Sequence, residues 1–138
     1  MLSEESAHVG ALELTRRAFA SPDYDAMMRW LGPDSVWDVS RWGLGTHTGP
    51  DAIRRHFDDW IGSFDAYDIT LDEITDLGDG VVYAVASQTA RPAGAHGNIL
   101  LTHASVFVWD GEVAVRVTHY RDIAEARAVA ERLARERA

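Results

Sequence analysis

The residues of this sequence best suited to chemistry are two histidines and a serine near its C-terminal end. His103 and Ser105 are two positions apart in a segment, Ile99 to Trp109, whose β-branched and aromatic residues predict a strand, so both side chains lie on one face of it. His119 lies in the next predicted strand, Val113 to Tyr120. The unperturbed pKa of histidine, about 6.5, suits an imidazole for general acid–base catalysis near neutral pH. The alternative is that each histidine is a core residue whose polar atoms are satisfied within the fold.

The sequence favours neither a metal site nor a cofactor. It contains no cysteine, which excludes thiol nucleophiles, iron–sulfur clusters and Cys-ligated zinc. A trio of His47, His103 and His119 would suit zinc or iron, but its members lack the close spacing, such as H-x-x-x-H, that is typical of such sites. We therefore expect chemistry without a metal or a cofactor.

Length and charge limit the other possibilities. The chain of 138 residues has 13 basic and 22 acidic residues and a formal net charge of -9, which predicts one domain over residues 1–138 and disfavours nucleic acids and anionic membranes as partners. No apolar stretch approaches the ~18 residues of a membrane-spanning helix. Glu4 and Glu5 stand where a secretory signal needs positive charge, so we expect a cytoplasmic protein.

Helical patterns occupy the first half of the chain and its end. A first helix is predicted from about Ser3 to Phe19, and Ser21-Pro22 begins a second that ends before Gly32-Pro33. Thr48-Gly49-Pro50 begins a third, and Asp122 begins a C-terminal helix that runs to Ala138. The clearest amphipathic face belongs to the third helix: Ile53, Phe57, Trp60, Ile61 and Phe64.

The second half of the chain predicts strands. After a short strand near Val36 to Val39 and a Gly-rich loop, four segments are rich in β-branched and aromatic residues, and short Gly- and Asp-containing turns join them as antiparallel neighbours. The four segments are Tyr67 to Leu77, Val81 to Thr89, Ile99 to Trp109 and Val113 to Tyr120. Helices and strands in separate blocks indicate an α+β fold. Strong twist of the long strands would curl the sheet around the helices and leave a hollow.

Several motifs together resemble the SnoaL-like polyketide cyclase family, which belongs to the nuclear transport factor 2-like, ketosteroid isomerase-like superfold. They are Trp37-Asp38 after Pro33-Asp34, Thr48 to Arg54, Leu77-Gly78-Asp79 before Val81-Val82, Phe107 to Val113, and Tyr120-Arg121-Asp122 with Glu125-Ala126. The resemblance spans nearly the whole chain. It implies a cone-shaped barrel of curved antiparallel sheet closed by N-terminal helices, with a C-terminal helix, a cavity for a small hydrophobic molecule, and a homodimer formed through the outer face of the sheet.

The resemblance also implies a site. It directs His103 and Ser105 into the cavity together with His119, and it suggests His119 as general base with His103 and Ser105 orienting the ligand or stabilising charge. The chain departs from the family at these positions: His119 stands where the cyclases hold a catalytic Asp, and Ser105 stands where they hold a His. A histidine can replace a carboxylate as proton acceptor.

Aromatic residues are predicted as a cluster to form flat walls for a ring-shaped ligand, although for any one of them alone ordinary core is the favoured explanation. These residues are Trp37, Trp42, Trp60, Phe64, Tyr83 and Phe107. Strand alternation places Asp38 on the face opposite Trp37 and Val39, where it would pair with an Arg or cap a loop. His8, His56 and His96 are expected to meet solvent.

Two functions remain open from the sequence. One is a cofactor-independent isomerase, cyclase or dehydratase acting on a hydrophobic, ring-containing substrate. The other is a non-catalytic module of the same fold that binds a ligand or serves assembly. The enzyme predicts polar cavity groups within hydrogen-bond reach of one another, whereas the binding module predicts isolated groups that are satisfied one by one.

Overall fold

A computed structural model of the protein describes residues 10–20 and 27–138. Within these ranges the helices are α1 (Ala11–Ala20), α2 (Pro50–Gly62) and α3 (Ile123–Arg137). The strands are β1 (Val36–Asp38), β2 (Thr46–Thr48), β3 (Phe64–Gly78), β4 (Val81–Pro92), β5 (Ile99–Asp110) and β6 (Val113–Tyr120). A short 3-10 helix, Ser40–Trp42, lies between β1 and β2.

The six strands form one curved sheet in the order β2-β1-β6-β5-β4-β3. Neighbouring strands are antiparallel except β1 and β6, which are parallel. The predicted α+β class with a curved sheet and a C-terminal helix is confirmed. The sheet is unclosed, because β2 and β3 form its two edges.

Helices cover both faces of the sheet. The inner face, which we define by Val82, Phe107 and Val117, packs in one apolar cluster with Leu14 of α1 and Phe57 of α2. The outer face packs in a second cluster with α3: Val81, Tyr83, Val85, Ala104, Val106 and Tyr120 lie beneath Ala126, Ala130 and Ala134. The C-terminal helix therefore covers the outer face of the sheet.

The C-terminal helix begins as the sequence predicts. The carboxylate of Asp122 accepts a hydrogen bond of 3.1 Å from the backbone N–H of Glu125, which satisfies one of the free donors of the first turn. At the other end, Arg137 donates to the backbone oxygens of Asp79 and Trp109 and so ties the helix to the β3–β4 turn.

Other boundaries differ from the predictions. The loop after β1 contains β2, an edge strand whose three residues carry no apolar alternation. Helix α2 ends at Gly62, so Phe64 begins β3 instead of continuing the helix. The predicted beginnings of the first helix near Ser3 and of the second at Ser21-Pro22 lie outside the described residues. None of the helices in the described ranges has the length and hydropathy needed to span a bilayer.

Candidate active site

A cavity lies between the inner face of the sheet and the helices, and it is partly open to solvent. The cavity volume is about 130 Å³, which is enough for a small organic molecule. Its apolar lining residues are Ala18, Phe19, Met27, Trp37, Val39, Trp42, Leu44, Phe57, Trp60, Ile69, Leu101 and Phe107. Its polar lining residues are His56, Tyr67, Gln88, His103 and His119, and no carboxylate, ammonium or guanidinium group occurs among the described residues that line it.

His119 lies on β6 directly across from Ser105 on β5. The Ser105 hydroxyl and Nδ1 of His119 are 2.8 Å apart, within a buried hydrogen bond. The other ring nitrogen, Nε2, is buried and has no hydrogen-bond partner, and it is the one such side-chain atom in the part of the chain that the structure describes. Because a buried polar group without a partner is costly, the atom is suited to bind a group of a ligand.

Burial holds the pKa of His119 well below its ordinary value of 6.5, and the nearby rings of His103 and His56 lower it further. The opposing effect of the Asp38 charge is smaller. His119 is therefore neutral at pH 7, and its imidazole is able to accept a proton.

His103 lies on β5 beside His119, and the two ring centroids are 5.3 Å apart. Its Nδ1 is 3.2 Å from Nε2 of Gln88, whose Oε1 accepts a hydrogen bond of 3.0 Å from the hydroxyl of Tyr67. Burial lowers the pKa of His103 to about 4, against a smaller opposite effect of Asp72. Two neutral imidazoles thus stand side by side in the cavity wall.

Gln88 and Tyr67 are site residues that the sequence reasoning missed. Alternation along β4 places Gln88 on the same face as Val82, and Tyr67 shares its face of β3 with Ile69. That period-two signal was present in the sequence. The strand register, which brings Gln88 next to His103 and Tyr67 next to Gln88, could not be derived from the sequence.

His56 was expected to meet solvent; it is half-buried and also lines the cavity. It lies on α2 one residue before the buried Phe57, and its ring stacks on that of His47 with centroids 4.6 Å apart. Burial and the neighbouring His47 lower the pKa of His56, and the charge of Asp59 partly offsets this decrease. Of the other two histidines predicted at the surface, His96 is exposed and His8 lies outside the described residues.

Four of the six predicted wall residues line the cavity: Trp37, Trp42, Trp60 and Phe107. Trp37 lies closest to the polar groups, with its ring centroid 4.7 Å from that of His119 and 4.8 Å from that of Phe57. Phe64 is not among the lining residues, and its ring instead contacts those of Trp60 and Tyr67.

Tyr83 is on the other side of the sheet. It pairs with Val106 and packs in the outer cluster beneath α3, where Arg127 lies over its ring. Its even-numbered neighbour Val82, which pairs with Phe107, faces the cavity side. Tyr83 therefore has no place in the candidate site.

Asp38 has the role that alternation predicts, since it points away from the cavity. Its carboxylate accepts hydrogen bonds from Ser40 and forms an ion pair of 2.7 Å with Arg116. Burial raises the pKa of this carboxyl, but the hydrogen bonds from Ser40 and the charge of Arg116 outweigh that effect, and the pKa lies below its ordinary value. Among the described residues, no group of three His, Asp or Glu is placed to hold a metal ion.

Comparison with known proteins identifies the family. The sequence profile of the SnoaL-like domain matches residues 12–124. This chain belongs to the SnoaL-like domain family. No curated protein sequence matches it.

Solved structures share the fold of this SnoaL-like protein. A nuclear transport factor 2-like protein from Burkholderia thailandensis is 23% identical, with a TM-score of 0.72, over 88% of this chain and 97% of the other. A similar protein of unknown function from Burkholderia pseudomallei is 20% identical, with a TM-score of 0.69, over 83% and 92%. TerC, crystallised with polyporic acid, is 17% identical, with a TM-score of 0.66, over 88% and 95%. At these identities the likeness establishes the fold of the SnoaL-like protein and no more.

Proposed function

We propose that this SnoaL-like protein binds a small, hydrophobic, ring-containing molecule and catalyses proton transfer on it without a cofactor, with His119 as general base. Isomerisation, cyclisation and dehydration are reactions of this type. The observation that carries the proposal is the buried Nε2 of His119, which has no partner in the protein and belongs to a side chain that lines the cavity. Geometry comes first in assigning a general base, and this atom is the proton acceptor that the described part of the protein leaves without a partner.

Ser105 supports the role because a hydroxyl can both donate and accept. It donates to Nδ1 when Nε2 carries the proton of the neutral ring. It accepts from Nδ1–H when Nε2 presents its lone pair, and it continues to accept when Nε2 has taken a proton from the ligand. The 2.8 Å contact therefore serves His119 before and after proton transfer.

The low pKa of His119 fits a base that holds a proton briefly and returns it. Burial destabilises the imidazolium unless a negative charge develops next to it. A ligand that becomes anionic as it loses its proton supplies that charge within the cavity, where screening by water is weak. The protonated base and the deprotonated ligand then carry opposite charges during the reaction.

The walls favour a flat, apolar ligand. Trp37 and Phe57 meet edge to face at 4.8 Å beside His119, and Trp42 and Trp60 line the cavity with them. Aromatic walls with a few polar groups are typical of sites for small molecules. TerC, which shares the fold, was crystallised with polyporic acid, and this supports a small-molecule ligand.

The second candidate is a protein that holds the same ligand without changing it. It is favoured by the departure from the cyclase pattern, since His119 replaces the catalytic Asp of that family. The hydrogen-bonded contacts of Tyr67 with Gln88, Gln88 with His103 and Ser105 with His119 favour the enzyme, because the groups converge instead of standing alone.

The test begins with mass spectrometry of any ligand retained through purification. That compound is then incubated in deuterium oxide with wild-type protein, with H119A and with the control H96A, which removes an exposed imidazole. We expect deuterium incorporation or turnover with wild type and H96A, and a loss of at least about 100-fold with H119A, which is the range for a general base. Equal rates in H119A would reject the base, and no reaction in wild type despite tight binding would favour the second candidate.

We also propose that the protein forms a homodimer through the outer face of the sheet. Helix α3 covers the outer face over β4 and β5, which leaves β1 and the exposed Arg116 of β6 for contact with a second copy. Light scattering should give about twice the chain mass of 15.3 kDa, and a mass equal to one chain would reject the dimer. The cytoplasmic location stays a prediction.

A further inference from the structure

A line of polar side chains crosses the inner face of the sheet diagonally over four strands. Tyr67 on β3, Gln88 on β4, His103 on β5 and His119 on β6 all line the cavity. The register explains the line: Gln88 pairs with Leu101, two residues before His103, and Ser105, two residues after His103, pairs with His119. Diagonal neighbours on one face are within reach of long side chains.

With the amide of Gln88 oriented as in the structure, the hydrogen bonds along this line are compatible with one neutral tautomer of His103. The structure places Oε1 of the Gln88 amide at the hydroxyl of Tyr67, which donates to it, and directs the Nε2–H group of the same amide to Nδ1 of His103. Nδ1 accepts this bond with its lone pair. The proton of the neutral ring is then on Nε2.

His119 differs because its partner is a hydroxyl. Ser105 accepts from Nδ1 or donates to it, so it imposes no tautomer, whereas an amide N–H group only donates. The two neighbouring imidazoles are therefore suited to different tasks. His119 can exchange a proton, and His103 can hold a fixed donor.

We propose that Gln88 is a positioning residue that fixes His103 as an Nε2–H donor, and that the ligand presents a carbonyl-type acceptor oxygen to this N–H group. The ligand part rests on the proposed function, because it concerns the same cavity. The tautomer part does not depend on any activity. Together they specify the ligand as an apolar ring compound with a carbonyl oxygen, in preference to the matching hydrocarbon.

The tautomer is tested by NMR of protein labelled with 15N in its histidines, at pH 7.5 and without ligand. In the wild type, Nδ1 of His103 should be unprotonated and Nε2 protonated. In Q88E the carboxylate only accepts, so Nδ1 should become protonated, either in the reversed neutral tautomer or in the imidazolium. The control T89E adds the same charge at the exposed neighbouring position on the other face of β4, and its His103 should keep the wild-type pattern.

Two results would overturn the tautomer assignment: a protonated Nδ1 in wild-type His103, or an unprotonated Nδ1 in folded Q88E. If Q88E does not fold, the wild-type spectrum alone still decides. In Y67F the amide loses its orienting donor, and we expect a mixture of the two His103 tautomers in place of one. A single unchanged tautomer in Y67F would show that Tyr67 does not orient Gln88.

The ligand part is tested by titration with 1-indanone and with indane, which share a ring system and differ in the carbonyl. We expect wild type and T89E to bind the ketone about fivefold more tightly, as one neutral hydrogen bond allows, and Q88E to lose this preference. Equal affinities in wild type, or no measurable binding of the ketone, would overturn the carbonyl ligand. The NMR result would stand in that case, and so would the separate test of His119 as a base.

Discussion

Acid should destabilise this protein through its buried histidines, and His103 allows the size of the effect to be worked out. Its pKa is about 4 in the folded protein and about 6.5 in the unfolded chain, so between these values the unfolded state binds more protons. The contribution of the neutral ring is fully present above pH 6.5 and is lost as the pH falls towards 4. Because pH 5 lies about 1.5 pH units below the pKa of the unfolded chain, protonation of the unfolded state lowers the free energy of unfolding by about 2 kcal/mol at that pH. His119 acts in the same direction, because its pKa is also lowered.

The assay is urea unfolding followed by tryptophan fluorescence at pH 7.5, 6.5, 5.5 and 5.0 and constant ionic strength. Comparing wild type with H103Q removes the contributions of carboxylates that titrate in the same range. The free energy of unfolding of wild type relative to H103Q should fall by about 2 kcal/mol between pH 7.5 and 5. H96Q, at an exposed position, should unfold at the wild-type midpoint at pH 7.5.

A difference between wild type and H103Q that does not change with pH would refute this reasoning. It would mean that water reaches His103 in the folded protein and that the ring is protonated in place. The pair of neutral imidazoles on which the candidate site depends would then not exist below pH 6.5. A loss about twice as large would point instead to coupled protonation of both rings.

Two further predictions concern the framework of the site. G80A should lower the free energy of unfolding more than the control G94A, because both glycines have a positive φ, of 82° and 79°, but only at Gly80 would an added Cβ meet a backbone oxygen, that of Trp109, at 2.3 Å. Equal losses in thermal unfolding would show that the close approach relaxes without cost. T15V should cost about 1–3 kcal/mol in urea unfolding, since Thr15 accepts a buried hydrogen bond of 2.8 Å from the indole N–H of Trp109. A loss below about 0.5 kcal/mol would indicate that the indole finds another partner.

Much of the fold follows from local patterns in the sequence. The bounds of β6 were predicted as observed, and the Asp122 cap was recognised from the acidic residue three positions later. The errors occur where two patterns overlap. Phe64 continues the helical spacing of α2, yet the helix ends at Gly62 and the chain enters β3. Helical spacing alone does not fix where a helix ends.

The site was predictable only in part, because alternation sorts the residues of a strand into two faces but gives neither the face that lines the cavity nor the register between strands. Alternation put His103 and Ser105 on one face, and the resemblance to the SnoaL-like cyclases implied that this face and His119 look into the cavity. The loop between β4 and β5 is longer, so nothing in the sequence aligned β4 with its neighbour. That is why Tyr83 was placed on the wrong face and Gln88 was missed.

Burial, rather than fixed charge, sets the chemistry of this cavity. The chain has 22 acidic residues, yet none of the described ones lines the cavity, and the nearest effects, from Asp72 on His103 and Asp38 on His119, are smaller than the effect of burial. A histidine paired with a carboxylate is a stronger base before any ligand arrives. His119 lacks that support, so it holds a proton only when the ligand itself becomes negative. Cationic ligands, which are neutral or positive after losing a proton, should therefore not be substrates. The reaction should also return the proton to the ligand before the product leaves.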